Sequence, residues 1–370
     1  MEKSYQSKVR LLAYYLPQYH PTPENDSWWG KGFTEWTHVG KAKALFPGHN
    51  QPRVPADLGY YDLRLPEIRE EQAKLAREAG IEGFVYYHYW FGNGKRMLQL
   101  PFNEVLSNGK PDFPFALAWA NDSWSSTMHG LKKGETLMEQ LYPGKEDYLE
   151  HFNYVLPAFK DSRYIRCEDK PIFMVYLPEC MPDMKEFINY WQNLASQNGL
   201  KGIYFIAFSI SRYSDNETNK FYKNMLDLGF NGVVFENMQP PRTTIPLIKR
   251  IFLKIARSFL HWPLIFYYSD TYQFPDICWK EQNAFPTTIP NWDHTPRSGN
   301  RGSVMLGSSP DKFEKTMKMI TEKMQKKTLD KRFLFIKSWN EWGEGNYLEP
   351  DIKYGHAWLN AIKKVLLINI

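Results

Sequence analysis

The chain has 370 residues, of which 43% are apolar and 24% charged, ordinary values for a soluble globular protein that exclude a disordered chain. Its net charge of +5 is small, and basic residues are interleaved with acidic ones, unlike the stripe that binds nucleic acid. No run of about eighteen apolar residues occurs, which excludes an ordinary transmembrane helix.

The polar start, Met1 to Lys8, runs straight into a strand-like segment with no apolar signal stretch before it. That points to the cytoplasm, although a mature exported protein would look the same. From there two kinds of segment alternate. β-branched and aromatic runs bounded by turn residues fall at Val9 to Leu16, Gly83 to Tyr89, Phe113 to Trp119, Ile172 to Tyr176, Ile203 to Phe208, Gly232 to Glu236, Thr287 to Trp292 and Phe333 to Lys337. Helical patterns lie between most of them. Pro66 opens one, Ile68, Gln72, Leu75 and Ala79 share its inner face, and Gly80 closes it. Ser309 and Pro310 open another, whose stripe is Phe313, Met317, Ile320 and Met324.

Eight strand-and-helix units without a break in composition predict a parallel sheet closed into a single (β/α)8 TIM barrel, one domain over residues 1–370. An open doubly wound sheet is the alternative, but no glycine-rich phosphate loop follows the first strand. The connection from Pro17 to Leu65 is too long for a plain turn and is expected to be functional or to carry structure of its own. Cys167, Cys180 and Cys278 are far apart in sequence, fit neither a zinc pattern nor a disulfide framework, and read as free thiols.

The segment Pro246 to Trp262 contains no acid and divides its faces as a helix would. Arg250, Lys254, Arg257 and His261 share one side; Leu247, Ile248, Ile251, Phe252, Ile255 and Phe259 fill the other. An outer barrel helix is the plain reading. Such a helix can also rest weakly on an anionic membrane leaflet. No protein partner is indicated.

In a barrel of this kind the active site lies at the C-terminal ends of the strands. Those ends are rich here in polar and aromatic residues: Gln18, Tyr19 and His20; His88, Tyr89 and Trp90; Trp119, Asn121, Asp122 and Trp124; Glu236; Trp292, Asp293, His294 and Arg297; Trp339, Asn340, Glu341, Trp342 and Glu344. The aromatic content is 16%, with 13 Trp and 23 Tyr, more than a core alone calls for. Flat amphipathic rings beside many hydrogen-bonding groups are what a sugar-binding cleft uses. The sharpest element is the run Ser338-Trp339-Asn340-Glu341-Trp342-Gly343-Glu344-Gly345, which brings two carboxylates into one tight turn. Breaking or forming a glycosidic bond takes one group to move a proton at the bridging oxygen and a second to assist at the anomeric centre; paired carboxylates supply both. Glu236 is a third acid and the main rival. Glu35, with Trp36, either caps the cleft or holds the long loop together. No histidine spacing suits zinc, and no cofactor is called for.

The runs Leu12 to His20, Gly32 to Trp36, Phe46 to His49 with Gln51-Pro52, Leu58 to Asp62, Ala118 to Asp122, Pro290 to Asp293 with Thr295 to Arg297, and Trp339 to Gly345 together resemble the WbsX family of bacterial polysaccharide gene clusters. That family is similar to glycoside hydrolase family 99, the endo-α-mannosidases and endo-α-mannanases. The resemblance implies a (β/α)8 barrel and a retaining reaction in which the sugar's own 2-hydroxyl attacks the anomeric carbon. It implies Glu341 as the base on that hydroxyl and Glu344 as the acid/base. The strand ends and the long first loop, read by themselves, offer a substrate cleft drawn from Tyr19, His20, Trp36, His88, Trp90, Trp119, Asn121, Asp122, Glu236, Trp292, Asp293, Arg297, Trp339 and Asn340. At Gly343 the chain departs from the endo-mannosidases, which carry a histidine. The expected function is an endo-acting glycoside hydrolase on a polysaccharide or lipid-linked glycan. A glycosyltransferase of O-antigen or capsule assembly is the alternative, and a non-catalytic carbohydrate-binding barrel the second alternative.

Overall fold

The computed structural model describes residues 6–126, 134–210, 214–236, 248, 251, 257–268 and 274–368. Eight strands form the barrel: β1 (Arg10–Tyr15), β2 (Gly83–Trp90), β3 (Phe115–Trp119), β4 (Lys170–Val175), β5 (Tyr204–Ile210), β6 (Gly232–Glu236), β7 (Ala284–Thr288) and β8 (Phe333–Ile336). Each pairs in parallel with the next, and β8 pairs with β1 through Phe335 and Leu12, which closes the ring. This is the (β/α)8 barrel the alternation predicts. β7 sits earlier in the chain than its apolar run suggests. Pro290, which has no N–H to give a ladder, follows its end closely, so Asn291, Trp292 and Asp293 belong to the loop beyond it.

Around the ring lie α3 (Pro66–Ala79), α4 (Leu100–Asn108), α5 (Lys145–Lys160), α6 (Met184–Gln197), α7 (Asp215–Leu228), α8 (Pro310–Met324) and α9 (Ala357–Leu366). α8 shows why such helices form where they do. The Ser309 side chain accepts from the Lys312 N–H and Pro310 occupies the first turn, while Phe313, Met317, Ile320 and Met324 are fully buried. Burying each of those side chains contributes about 2 kcal/mol, far more than propensity does. α3 ends as its sequence says. Gly80 at φ 89° takes the left-handed cap and the Ile81 N–H reaches back to Ala76 O. Gln72 on its inner face is buried as well, for a reason that belongs to the site.

The barrel's pleat sorts its side chains. On β2, Tyr87 points inward and stacks on Tyr14 at 5.8 Å, whereas His88 and Trp90 point outward against His151 of α5. Tyr14 also meets Phe208 and Phe335 at 5.2 and 5.7 Å, so the interior beneath the mouth is a stack of rings. The long first connection carries α1 (Pro23–Trp29) and α2 (Glu35–Gly40). Of the segment Pro246 to Trp262, Arg250 and Lys254 lie outside the described residues, so the basic face and the membrane contact it implies stand on sequence alone; Ile248, Ile251, Phe259 and Leu260 are exposed. Among the described residues no helix is long and apolar enough to cross a membrane. The three cysteines are free, with Cys167 and Cys278 buried and Cys180 exposed.

Candidate active site

Beyond β8 the chain folds into a small hairpin in which Asn340 and Glu341 pair with Tyr347 and Asn346. The turn between them is the single 3₁₀ turn Trp342–Glu344 followed by Gly345. Its shape is held from several sides. Ser338 Oγ donates to Asn346 O at 2.8 Å and accepts from the Glu341 N–H at 2.9 Å. The Asn340 amide bridges the Leu16 backbone, accepting from its N–H at 2.8 Å and donating to its carbonyl at 3.0 Å. Tyr19 Oη donates to the Asn340 carbonyl and accepts from the Trp342 N–H. The Trp342 ring lies on Tyr347 at 3.7 Å and beside Trp36 at 5.6 Å. Gly345 is required twice over: its φ is 62°, and a Cβ there would press on Asp293.

Behind the turn sits Glu349, 1% exposed. It accepts from Trp342 Nε1 at 2.6 Å, Gln72 Nε2 at 2.6 Å and Tyr61 Oη at 3.0 Å, tying α3 and the first loop to the hairpin. Burial pushes its pKa up to about 7, against these donors. A carboxyl raised in the fold binds its proton more tightly there than in the unfolded chain. Its contribution to stability is therefore present below its ordinary value of 4.5 and is lost as pH rises through 7. The unfolding free energy of the wild type, taken relative to Glu349→Gln, should fall by roughly 3 kcal/mol between those pH values. Denaturant titrations of both proteins across that range measure it, and a flat or rising difference would refute the assignment.

Both dyad carboxyls open into a cleft whose described lining is Leu16, Gln18, Tyr87, Tyr89, Ala120, Asp122, Trp124, Tyr176, Arg297, Lys337, Glu341 and Glu344. Arg297 is the hub of its charge. Nη1 meets Glu344 Oε1 at 2.5 Å and Nε meets Glu35 Oε2 at 3.0 Å. Glu35 is wholly buried and opens α2 within the first connection, so its ion pair holds that connection against the site. The other cation, Lys337, rests 3.2 Å from Glu236 on the cleft floor. Glu341 and Glu344 lie close enough for each to shift the other's proton affinity. Burial, then the neighbouring charge of Glu344, raises Glu341 well above the carboxylate range. Burial acts on Glu344 too, but Arg297, Lys337 and His294 outweigh it and hold its pKa below the ordinary value. Asp122, across the cleft, is raised to about 6 by burial.

Of the residues the sequence nominates, Gln18, Tyr89, Asp122, Trp124, Arg297, Glu341 and Glu344 line the cleft, and Glu236 lies beneath it. Most of the others stand behind it. Tyr19, Trp36 and Asn340 brace the hairpin and first loop, with Trp36 Nε1 donating to Tyr61 O at 2.7 Å. His20 donates from Nδ1 to Pro17 O, and His88 shares a proton with His151 at 2.7 Å between strand and helix. Trp90 donates to Asp147, and Trp119 donates to the Trp90 carbonyl at 2.9 Å. Asn121 straps Leu177, while Asp293 anchors His49, Gln51 and Thr295. Trp292 donates to Ser303, and Trp339 packs on Phe84. Tyr87, Tyr176 and Lys337 were not singled out; the period-2 pattern leading to Tyr89 is the signal that marks Tyr87 as inward. Among the described residues no group of three His, Cys, Asp or Glu side chains could hold a metal ion.

A closed parallel barrel with carboxyls in an aromatic cleft at its C-terminal mouth defines the (β/α)8 fold class. Solved structures of similar fold are a glycoside hydrolase-like protein (TM-score 0.64, 13% identity, 100% of this chain and 96% of that one) and the GH99 endo-alpha-mannosidase from Bacteroides thetaiotaomicron (0.58, 13%, 97% and 96%). The chain itself belongs to the WbsX family: the model described as glycosyltransferase WbsX matches residues 11–362. The uncharacterized protein WxcX from two strains of Xanthomonas campestris pv. campestris is 34% identical over 359 residues, 96% of this chain. The chain spans 49% of the length of those relatives.

Proposed function

We propose that this barrel is a glycan-acting enzyme, and more narrowly a retaining, endo-acting glycoside hydrolase. The observation that carries the reading is the pair of a buried Glu341 and a partly exposed Glu344 at the cleft, with one carboxyl favouring the proton and the other the charge. One gives a proton to the bridging oxygen. The other takes a proton from the sugar's 2-hydroxyl, whose oxygen attacks the anomeric carbon and leaves a 1,2-anhydro sugar that water then opens. Tyr87, Tyr89, Trp124 and Tyr176 offer ring faces for a pyranose, and Asp122 offers an acceptor for its hydroxyls. A polysaccharide or a lipid-linked glycan is the substrate class this supports.

The family's description favours a second reading, transfer from an activated sugar. Incubating the protein with a panel of polysaccharides and lipid-linked glycans, with and without nucleotide sugars, separates the two. The hydrolase reading expects new reducing ends without any nucleotide. Product formed only when a nucleotide sugar is present would overturn it, and binding without turnover would indicate a carbohydrate-binding barrel.

A further inference from the structure

Resting on the glycan reading, a second concave surface beside the cleft narrows the kind of glycan the barrel takes. We propose that the groove between the first loop and the segment after β7 is a subsite for an anionic group of the glycan, a carboxylate or a phosphate, and that Lys41 and Lys43 select for it.

The groove has a volume of about 640 Å³, within the range of roughly 300–1,000 Å³ that ligand sites occupy. One wall comes from the stretch from Lys41 to Leu45 of the first loop, the other from Thr295 to Arg301. Arg297 lines both this groove and the cleft that holds Glu341 and Glu344, so the two adjoin at the barrel's mouth. An endo-acting site holds sugars on both sides of the reacting bond. The groove gives one of those arms a place to lie.

Its charge is one-sided. Lys41, Lys43, Arg297 and Arg301 line it, and among the described residues no acidic side chain does. Arg297 is already matched by Glu35 and Glu344. Lys41 and Lys43 differ: both are exposed, and among the described residues no ion pair joins either of them to an acid. Arg301, exposed on the opposite wall, adds a further positive charge. Fold stability does not call for this grouping, since like charges on one groove repel. A ligand that carries negative charge turns the repulsion into attraction. Lysine suits the task, because its ammonium is a compact charge on a flexible stem and follows an anion without demanding one fixed geometry. Between Arg297 and Arg301, Ser298 and Asn300 offer a hydroxyl and an amide to sugar hydroxyls. Both substrate classes of the glycan reading can carry the required group: an acidic polysaccharide has carboxylates on its rings, and a lipid-linked glycan can have a diphosphate where it joins its carrier.

Isothermal titration at about 20 mM salt, where exposed charges are least screened, tests the groove directly. The first pair of probes is an oligogalacturonate and the same oligomer with its carboxyls reduced to alcohols; the second is a glycosyl diphosphate and its free sugar. In at least one pair the anion should bind about fivefold tighter than its neutral counterpart, and that pair names the source of the charge. The advantage should shrink at about 200 mM salt and largely vanish in the double variant Lys41→Gln/Lys43→Gln. Lys315→Gln/Lys318→Gln removes the same charge from exposed positions on α8 and should keep it. Anions that bind no better than their neutral counterparts, an advantage that survives the groove variant, or one lost equally in the α8 variant would overturn the proposal. Turnover on the glycan panel is scored separately. A groove blind to charge in an active hydrolase fails this inference alone, whereas charge-selective binding without turnover leaves it standing and fails the hydrolase reading.

Discussion

Glu341→Gln and Glu344→Gln should each leave the barrel folded and lower turnover by about two to four orders of magnitude, the scale of lost acid or base catalysis. Both changes keep the shape of the side chain. Among the described residues no ion pair ties Glu341 to a cation, and Arg297 keeps Glu35 when Glu344 becomes an amide. Circular dichroism and thermal melts check the fold; steady-state rates on a turned-over glycan check the loss. Near-normal activity in either variant removes that residue from the mechanism. Glu236→Gln is the control with an edge. Its carboxylate is the partner of Lys337 on the cleft floor, so the change should disturb the dyad's surroundings without removing a reacting group. If it proved the most damaging of the three, the chemistry would have to be reassigned to Glu236.

The second large effect is expected at Gly343, where the resemblance to the endo-mannosidases breaks. A Cβ on this residue would fall on Glu35 Oε2 and stand 3.0 Å from Arg297 Nε, so the space a side chain would fill holds the ion pair that ties the first loop to the dyad. Gly343→Ala must push the two apart. Parting a buried, hydrogen-bonded pair costs about 3–5 kcal/mol, and the same displacement should release Glu344 from Arg297 and reduce turnover. A double-mutant cycle isolates the cause, because Glu35→Ala empties the position the new methyl needs. Added to Glu35→Ala, the Gly343→Ala change should be much milder than on its own, in both denaturant midpoint and rate. Strict additivity, or a harmless Gly343→Ala, would mean that the glycine serves something other than this pair.

The sequence by itself determined the architecture and pointed to the candidate site. Eight short apolar runs separated by capped, amphipathic segments leave a parallel barrel as the arrangement that buries them all, and those signals are local: Ser309 and Pro310 start α8, Gly80 stops α3. The turn from Trp339 to Gly345 was equally legible, since two carboxylates among tryptophans and glycines are written in seven consecutive residues. What a strand end looks like does not say which of its residues face the cleft. His88 and Trp90 alternate with Tyr87 and Tyr89, and the barrel's closure sends one pair to α5 and the other inward. The charge of the dyad was also beyond a local reading. It depends on Arg297 meeting Glu344 and, 262 residues away in sequence, Glu35, and on Lys337 meeting Glu236. No spacing rule links those positions. Only the fold brings them together in a buried site, where each charge must be matched and so each carboxyl is given its state.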